Sequence, residues 1–187
     1  MHVSVANWSS HVNAVNPPSQ LRAWLTEPGS LTARLIAHSA QFRVRRIRQA
    51  RGLLLADELP PFFLRRRVMA QQRQVVLECD AQPVVFAHTS VPLNATASDW
   101  PMFGHLGERS LGSTLFGDPL VQRGPLEFAR LLPSHRLVQM MQVALGQPPD
   151  MVLYARRCLY RRHRGLLLVS EIFLPAIVNL ALRPNAA

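Results

Sequence analysis

The chain has 187 residues, 48% hydrophobic and 17% charged, which excludes a disordered chain and supplies enough apolar surface for one core without disulfide or metal staples. Its formal net charge is +10, and all 21 basic residues are arginines. With no lysine there is no Schiff-base amine and no phosphate loop ending in GK[ST], so anion recognition falls to guanidinium groups, backbone N–H groups or histidine.

Residues 1–16 are polar and weakly patterned and read as a loose arm; 17–187 read as a single domain. Pro17-Pro18-Ser19 opens a short helix carrying Leu21, Trp24 and Leu25, which Pro28-Gly29 breaks. Ser30 is a good N-cap for a second helix, Leu31 to about His38. Phe42, Val44 and Ile47 with interleaved arginines suggest a strand with one wet face, and Leu59-Pro60-Pro61 marks a loop. Gln72–Glu78 and Val84–Val91 flank Cys79-Asp80-Ala81-Gln82-Pro83 as a hairpin. Trp100–Leu106 and Leu111–Phe116 suggest short helices, and Leu126–Leu131 a strand. Ser134 is expected to cap a helix from about His135 to Leu145, with Leu137, Val138, Met141 and Leu145 on one side. Met151–Arg161 and Leu166–Phe173 form a second hairpin around Arg162-His163-Arg164-Gly165, which Pro175 closes. Strands joined by short turns, with helices between them, define an α+β chain with an antiparallel sheet.

Side chains alternate faces along a strand. Arg73 therefore shares a face with Val75 and Leu77, and Glu171 shares one with Leu167, Val169 and Phe173. A charge on a core-facing position is costly unless it is partnered. Two readings stay open: Arg73 and Glu171 neutralise one another as a structural pair, or they face a ligand, Arg73 toward a carboxylate and Glu171 toward a hydroxyl or proton. Arg156 and Arg157 lie on opposite faces, so at most one reaches such a site; Arg156 is favoured and Arg157 is read as solvated. His105 and His135 lack a carboxylate–serine pattern, which argues against a hydrolase triad.

A basic chain can serve nucleic acid or an anionic membrane. The arginines run from Arg22 to Arg183 without zinc-ligand spacing, an aromatic RNP box or a recognition-helix pair, so no nucleic-acid partner is expected. Cys79 and Cys158 belong to no CxxC and read as reduced thiols in a cytoplasmic protein, with no metal site. No secretory signal is recognisable, and the longest apolar tract, Leu166 to Leu182, is broken by Glu171, Pro175 and Asn179; no transmembrane segment is expected.

From Leu21 to Pro175 the sequence resembles the bacterial chorismate pyruvate-lyases, or 4-hydroxybenzoate synthases. The resemblance runs through Trp24-Leu25, Gly29-Ser30-Leu31-Thr32-Ala33-Arg34-Leu35, Arg73-Gln74-Val75-Val76-Leu77, Leu106-Gly107, Ser110-Leu111-Gly112, Leu115-Phe116, Arg156-Arg157 and Leu168-Val169-Ser170-Glu171-Ile172-Phe173-Leu174-Pro175. It implies one antiparallel sheet with helices and flap-like loops over an internal ligand cavity. It also implies a monomeric enzyme without cofactor, which eliminates pyruvate from chorismate to give 4-hydroxybenzoate for ubiquinone biosynthesis. By the same resemblance Arg73 binds the product carboxylate, Glu171 faces the phenolic hydroxyl, and the backbone of Leu111 helps hold the ring. Leu31 stands where the family carries methionine, Tyr154 where tryptophan is common, and His88 where an arginine is expected as a second anion contact. The alternative is a non-catalytic domain of the same fold that binds a small aromatic effector. Such domains follow a DNA-binding domain, for which the first twenty residues are too short.

Overall fold

The β-branched runs pair first with their neighbours in sequence. In the computed structural model, which describes residues 4–96, 98–146 and 151–182, β2 (Met69–Cys79) and β3 (Gln82–Pro92) form one hairpin. Its two-residue turn, Asp80-Ala81, has φ of 50° and 63°, the left-handed pair whose twist matches the flanking strands. Asp80 Oδ1 accepts from the Ala40 and Gln41 amides at 2.9 Å, tying the entry of β1 (Phe42–Leu53) to this turn. The second hairpin joins β5 (Leu153–Arg162) to β6 (Gly165–Phe173). With β4 (Val121–Leu131), the strands make one antiparallel sheet in the order β1-β2-β3-β6-β5-β4. β4 begins earlier than Leu126 because its register shifts between Arg123 and Leu126. Pro125, which has no N–H to donate, is tolerated there because β4 is an edge strand.

Both faces of the sheet are covered. On one face Val44, Val75, Leu77, Ala87 and Phe173 pack under α1 (Ser19–Leu25), α2 (Leu31–Ala37) and the 3-10 segment Pro175–Leu182. Ser30 caps α2 as its sequence predicts, accepting from the Ala33 amide. Further along the same face Cys158, Tyr160 and Leu167 meet the 3-10 turns Pro101–His105. A single-turn helix, α3 (Leu93–Thr96), and α4 (Leu111–Gly117) complete that cover. On the other face Val76, Phe86, Ala155 and Ile172 pack under α5 (Arg136–Leu145), which contributes Leu137, Val138 and Met141. No described helix is long and apolar enough to cross a membrane.

The second face holds a buried polar network that the sequence does not announce. The N-cap of α5 is His135 rather than Ser134: its ring Nδ1 accepts from the Leu137 amide and its Nε2 meets Asp57 Oδ2 at 3.0 Å. Trp8 Nε1 also donates to Asp57 at 3.1 Å. Burial pushes the Asp57 carboxyl up, but these hydrogen bonds outweigh it and hold the group below its ordinary range. Arg157, read as solvated, is instead buried here. It donates to Glu127 at 2.8 Å and to the Asp57 carbonyl at 2.6 Å, and stacks on Trp8 at 4.4 Å. Sequence alternation placed Arg157 correctly on the face opposite Arg156, but not the element that covers that face. The arm read as loose is held from Ser4 onward, by bridges of Ser4 to His135 and Ser9 to Phe128 and by the burial of Val15.

Ala81 carries a Cβ in the left-handed region, where only glycine sits without cost. Ala81→Gly removes that strain while loosening the unfolded chain. The expected result is a net gain of roughly 0.5–1 kcal/mol in urea unfolding; a lower midpoint would show that the turn is not strained.

Candidate active site

Arg73 is 2% exposed, yet it has no carboxylate beside it. Among the described residues no ion pair includes it. Its Nη2 donates to the carbonyls of Gly107 at 3.1 Å and Arg109 at 2.9 Å. Gly107 has a φ of +56°, a turn that glycine makes freely and that aims both carbonyls at the guanidinium. The Nε–H of Arg73 is buried without a hydrogen-bond partner. Burial, with a smaller contribution from the like charge of Arg46, lowers its pKa to about 10, so it stays cationic at neutral pH. The group thus faces a cavity as a cation whose hydrogen-bonding is incomplete.

Glu171 lines the same cavity from β6. It does not pair with Arg73. Arg156 lies directly opposite it in the β5–β6 register, and the Arg156 Nε donates to Glu171 Oε2 at 2.6 Å. Arg156 Nη1 is fixed in turn by the carbonyls of Leu25 at 3.2 Å and Glu27 at 3.0 Å, where α1 gives way to the next loop. That loop is itself tied down: burial raises the Glu27 carboxyl, but the Gly29 amide and Arg34 prevail and lower it. Arg156 is buried, whereas the Glu171 side chain keeps 18% exposure. Arg73 and Glu171 stand on strands separated by β3 and two residues apart in register, so their backbones are roughly 12 Å apart.

The cavity floor comes from Ala87 and Thr89 of β3 and Tyr160 of β5, and burial drives the Tyr160 phenol upward so that it stays protonated. Its cover is made by α2, through Leu31 and Thr32, and by α4, through Leu111 and Leu115. The two helices touch where Thr32 Oγ1 and Ser110 Oγ, the cap of α4, lie 2.7 Å apart. Gly112 lets the helices approach this closely, since a Cβ there would come within 2.9 Å of Thr32 Oγ1 and force it to shift. The free volume is about 50 Å³, below the roughly 300 Å³ at which small-ligand pockets begin. A ring-sized ligand needs more room than this.

Of the residues singled out from sequence, Arg73, Glu171, Leu111, Leu31 and Arg156 meet around this one cavity. His88 does not. Its neighbours Ala87 and Thr89 line the cavity, so alternation turns His88 to the far face. There it is fully buried, with Nε2 at 3.2 Å from Glu58 and 3.1 Å from Ser90. An anion contact from position 88 is thereby ruled out by geometry. Thr32, Thr89 and Tyr160 line the cavity without having been anticipated; Tyr160 could have been found by stepping in twos from Arg156. His135 and Asp57 engage each other and a helix amide, with no nucleophile in the chain of contacts. Cys79 and Cys158 are buried, and burial raises both thiols, which keeps them protonated and unreactive.

This geometry defines a class: an antiparallel-sheet domain whose internal cavity is lined by a buried arginine outside every described ion pair and by a carboxylate paired with a second arginine. Residues 2–181 match the family model described as chorismate lyase. The chain is 47% identical over 185 residues to a protein of Cupriavidus metallidurans named "Probable chorismate pyruvate-lyase", covering 96% of this chain and 85% of that one. A protein of the same name from Nitrosomonas europaea is 42% identical over 171 residues, covering 91% and 95%. Among solved structures, the effector domain of PhnF from Mycobacterium smegmatis superposes with a TM-score of 0.54 at 14% identity, covering 79% of this chain and 89% of that chain. A GntR-family regulator from Bacillus cereus gives 0.54 at 9%, covering 73% and 93%. Those two likenesses establish the α+β fold. The chain belongs to the chorismate lyase family.

His88→Ala tests the division between the two faces. It should lower stability by about 2 kcal/mol, the cost of leaving buried Glu58 and Ser90 short of a partner, while affinity for an aromatic carboxylate stays unchanged. Lost affinity at unchanged stability would return His88 to the site.

Proposed function

We propose that this protein eliminates pyruvate from chorismate to give 4-hydroxybenzoate, with Arg73 as the anchor for the ring carboxylate and Glu171 at the hydroxyl end. The observation that supports the assignment best is the buried Arg73 with no acidic partner and an unused Nε–H. A guanidinium in that state gains most from a carboxylate, whose two oxygens match its fork. Glu171 is already charge-compensated by Arg156, so it needs no second cation and can turn its exposed part to the substrate.

The chemistry asks little beyond this. Chorismate loses the proton from the ring carbon that bears the hydroxyl. The electron pair forms the last ring double bond, and the ether bond to the enolpyruvyl group breaks. The departing enolpyruvate takes a proton on its methylene carbon and becomes pyruvate, while the ring becomes aromatic. A site that fixes the ring at its carboxylate, excludes water and holds a carboxylate near the leaving proton supplies positioning and general-base assistance. Leu31, Leu111 and Val169 give the apolar walls that an aromatic ring prefers. A non-catalytic binding role fits this chain less well, because it shares far more sequence with the lyases than with the regulator domains of the same fold.

The test is to mix the protein with chorismate and follow 4-hydroxybenzoate in the ultraviolet. Arg73→Ala should raise KM by about a hundredfold, in line with a lost charge-assisted contact. Arg73→Lys should fall between that variant and the native protein, since it keeps the charge and loses the fork. Glu171→Gln should cut kcat by at least about a hundredfold. No product from the native protein would defeat the assignment; full turnover in Glu171→Gln would leave Glu171 only an orienting part.

A further inference from the structure

Between β1 and β2 the chain runs Leu59-Pro60-Pro61-Phe62-Phe63-Leu64-Arg65-Arg66-Arg67. Phe62 is buried with Leu54, Ala70 and Leu168, whereas its neighbour Phe63 is 82% exposed. The exposure is built in. The Phe63 amide donates to the Pro60 carbonyl and the Leu64 amide to the Leu59 carbonyl, both at 3.0 Å. Phe63 itself has a φ of 57°, a left-handed conformation that a bulky residue seldom adopts. A hydrogen-bonded turn anchored by Phe62 thus holds an aromatic ring out in water. Leu53 and Met69, which pair at the end of the β1–β2 ladder that this segment joins, are exposed as well.

Arginines surround this apolar tip. Arg65, Arg66 and Arg67 are exposed, and no described ion pair includes them. Arg51 lies on the same side of β1 as Leu53, and Arg164 lines the groove shared by Leu64 and Leu166. The acids of residues 39–69 are Asp57 and Glu58, both buried and engaged on the far face. Across the groove stands one half-buried carboxylate, Asp99. A chain without lysine accounts for arginines on a surface, but not for a phenylalanine held out among them.

We propose that this face docks on the surface of an anionic phospholipid bilayer. Phe63 enters the boundary between headgroups and acyl chains, with Leu53 and Met69 behind it. The guanidinium groups of Arg51, Arg65, Arg66, Arg67 and Arg164 meet lipid phosphates. Apolar side chains at the centre and cations at the rim are the pattern of an interfacial anchor. A nucleic acid would use the same cations. It would gain nothing from Leu53 and Met69, and it would want several aromatic platforms where this patch offers one. None of these residues lines the cavity, so the inference stands apart from the proposed reaction.

Sedimentation of the whole protein with vesicles tests it. Partition onto phosphatidylcholine vesicles containing phosphatidylglycerol should exceed that onto phosphatidylcholine alone by at least about tenfold and should fall as salt is added. Phe63→Ser and the triple change Arg65→Gln, Arg66→Gln, Arg67→Gln should each lower it roughly tenfold, with melting temperature and activity unchanged. A control triple, Arg22→Gln, Arg43→Gln, Arg130→Gln, removes equal charge away from both grooves that border the patch and should leave partition within about twofold. Phe63→Trp should show blue-shifted emission only on the anionic vesicles. Equal binding to neutral vesicles, no binding at low salt, or equal loss in the control triple would overturn the proposal. So would binding that ignores Phe63 but is displaced by an oligonucleotide, which would make the patch a nucleic-acid surface.

Discussion

Removing a guanidinium from water costs several kcal/mol even after the surroundings relax, and the usual remedy is a carboxylate. Arg73 is buried without one. Two carbonyls from the loop around Gly107 repay part of the cost, and much of the architecture around the cavity follows from the rest being left open. The loop must turn through a left-handed glycine to bring its carbonyls in. Apolar groups from Val75 and Leu77 on its own strand and from Leu111 and Leu115 of the cover line the cavity it faces. Glu171, the one carboxylate within the same cavity lining, must be kept from collapsing onto Arg73. The protein does this by giving Glu171 its own partner, Arg156, braced by the end of α1. An arginine short of an anion and a carboxylate already supplied with a cation make a site polarised along one direction across the sheet. A ring with a carboxylate at one end and a hydroxyl at the other has the complementary form.

The sheet separates this chemistry from a second polar layer. On the cavity face, charges are left available to a ligand. On the far face, Asp57, Glu58, His88, Ser90, His135 and Arg157 engage one another and the backbone beneath α5, leaving the His88 Nδ1 without a partner. Neighbouring residues on a strand belong to different worlds: Arg156 serves the site and Arg157 the scaffold. The N-terminal arm joins the scaffold through Trp8, which both donates to Asp57 and lies under the Arg157 guanidinium.

What could be read from the sequence was what local rules determine. The hairpins, the Ser30 cap and the apolar company of Arg73 and Glu171 follow from turn chemistry and period-two alternation. The Arg156–Glu171 pair was also within reach: counting back along both strands from the Arg162–Gly165 turn pair sets them opposite each other. Arg157 and His88 were misread for one reason. Alternation says which face a residue takes but not what covers that face, and here α5 and the arm bury the side that seemed free for solvent or ligand. The cavity cover was only partly legible, because the Thr32–Ser110 contact joins segments far apart in sequence.

The account rests on Arg73 answering a carboxylate. Calorimetric titration with 4-hydroxybenzoate and with its uncharged amide, on the native protein and on Arg73→Met, isolates that interaction. The native protein should prefer the carboxylate by about a hundredfold or more, the scale of a desolvated charge pair, and Arg73→Met should lose nearly all of that preference. An equal preference in both proteins would mean that the carboxylate is held elsewhere and that the buried arginine is only part of the frame.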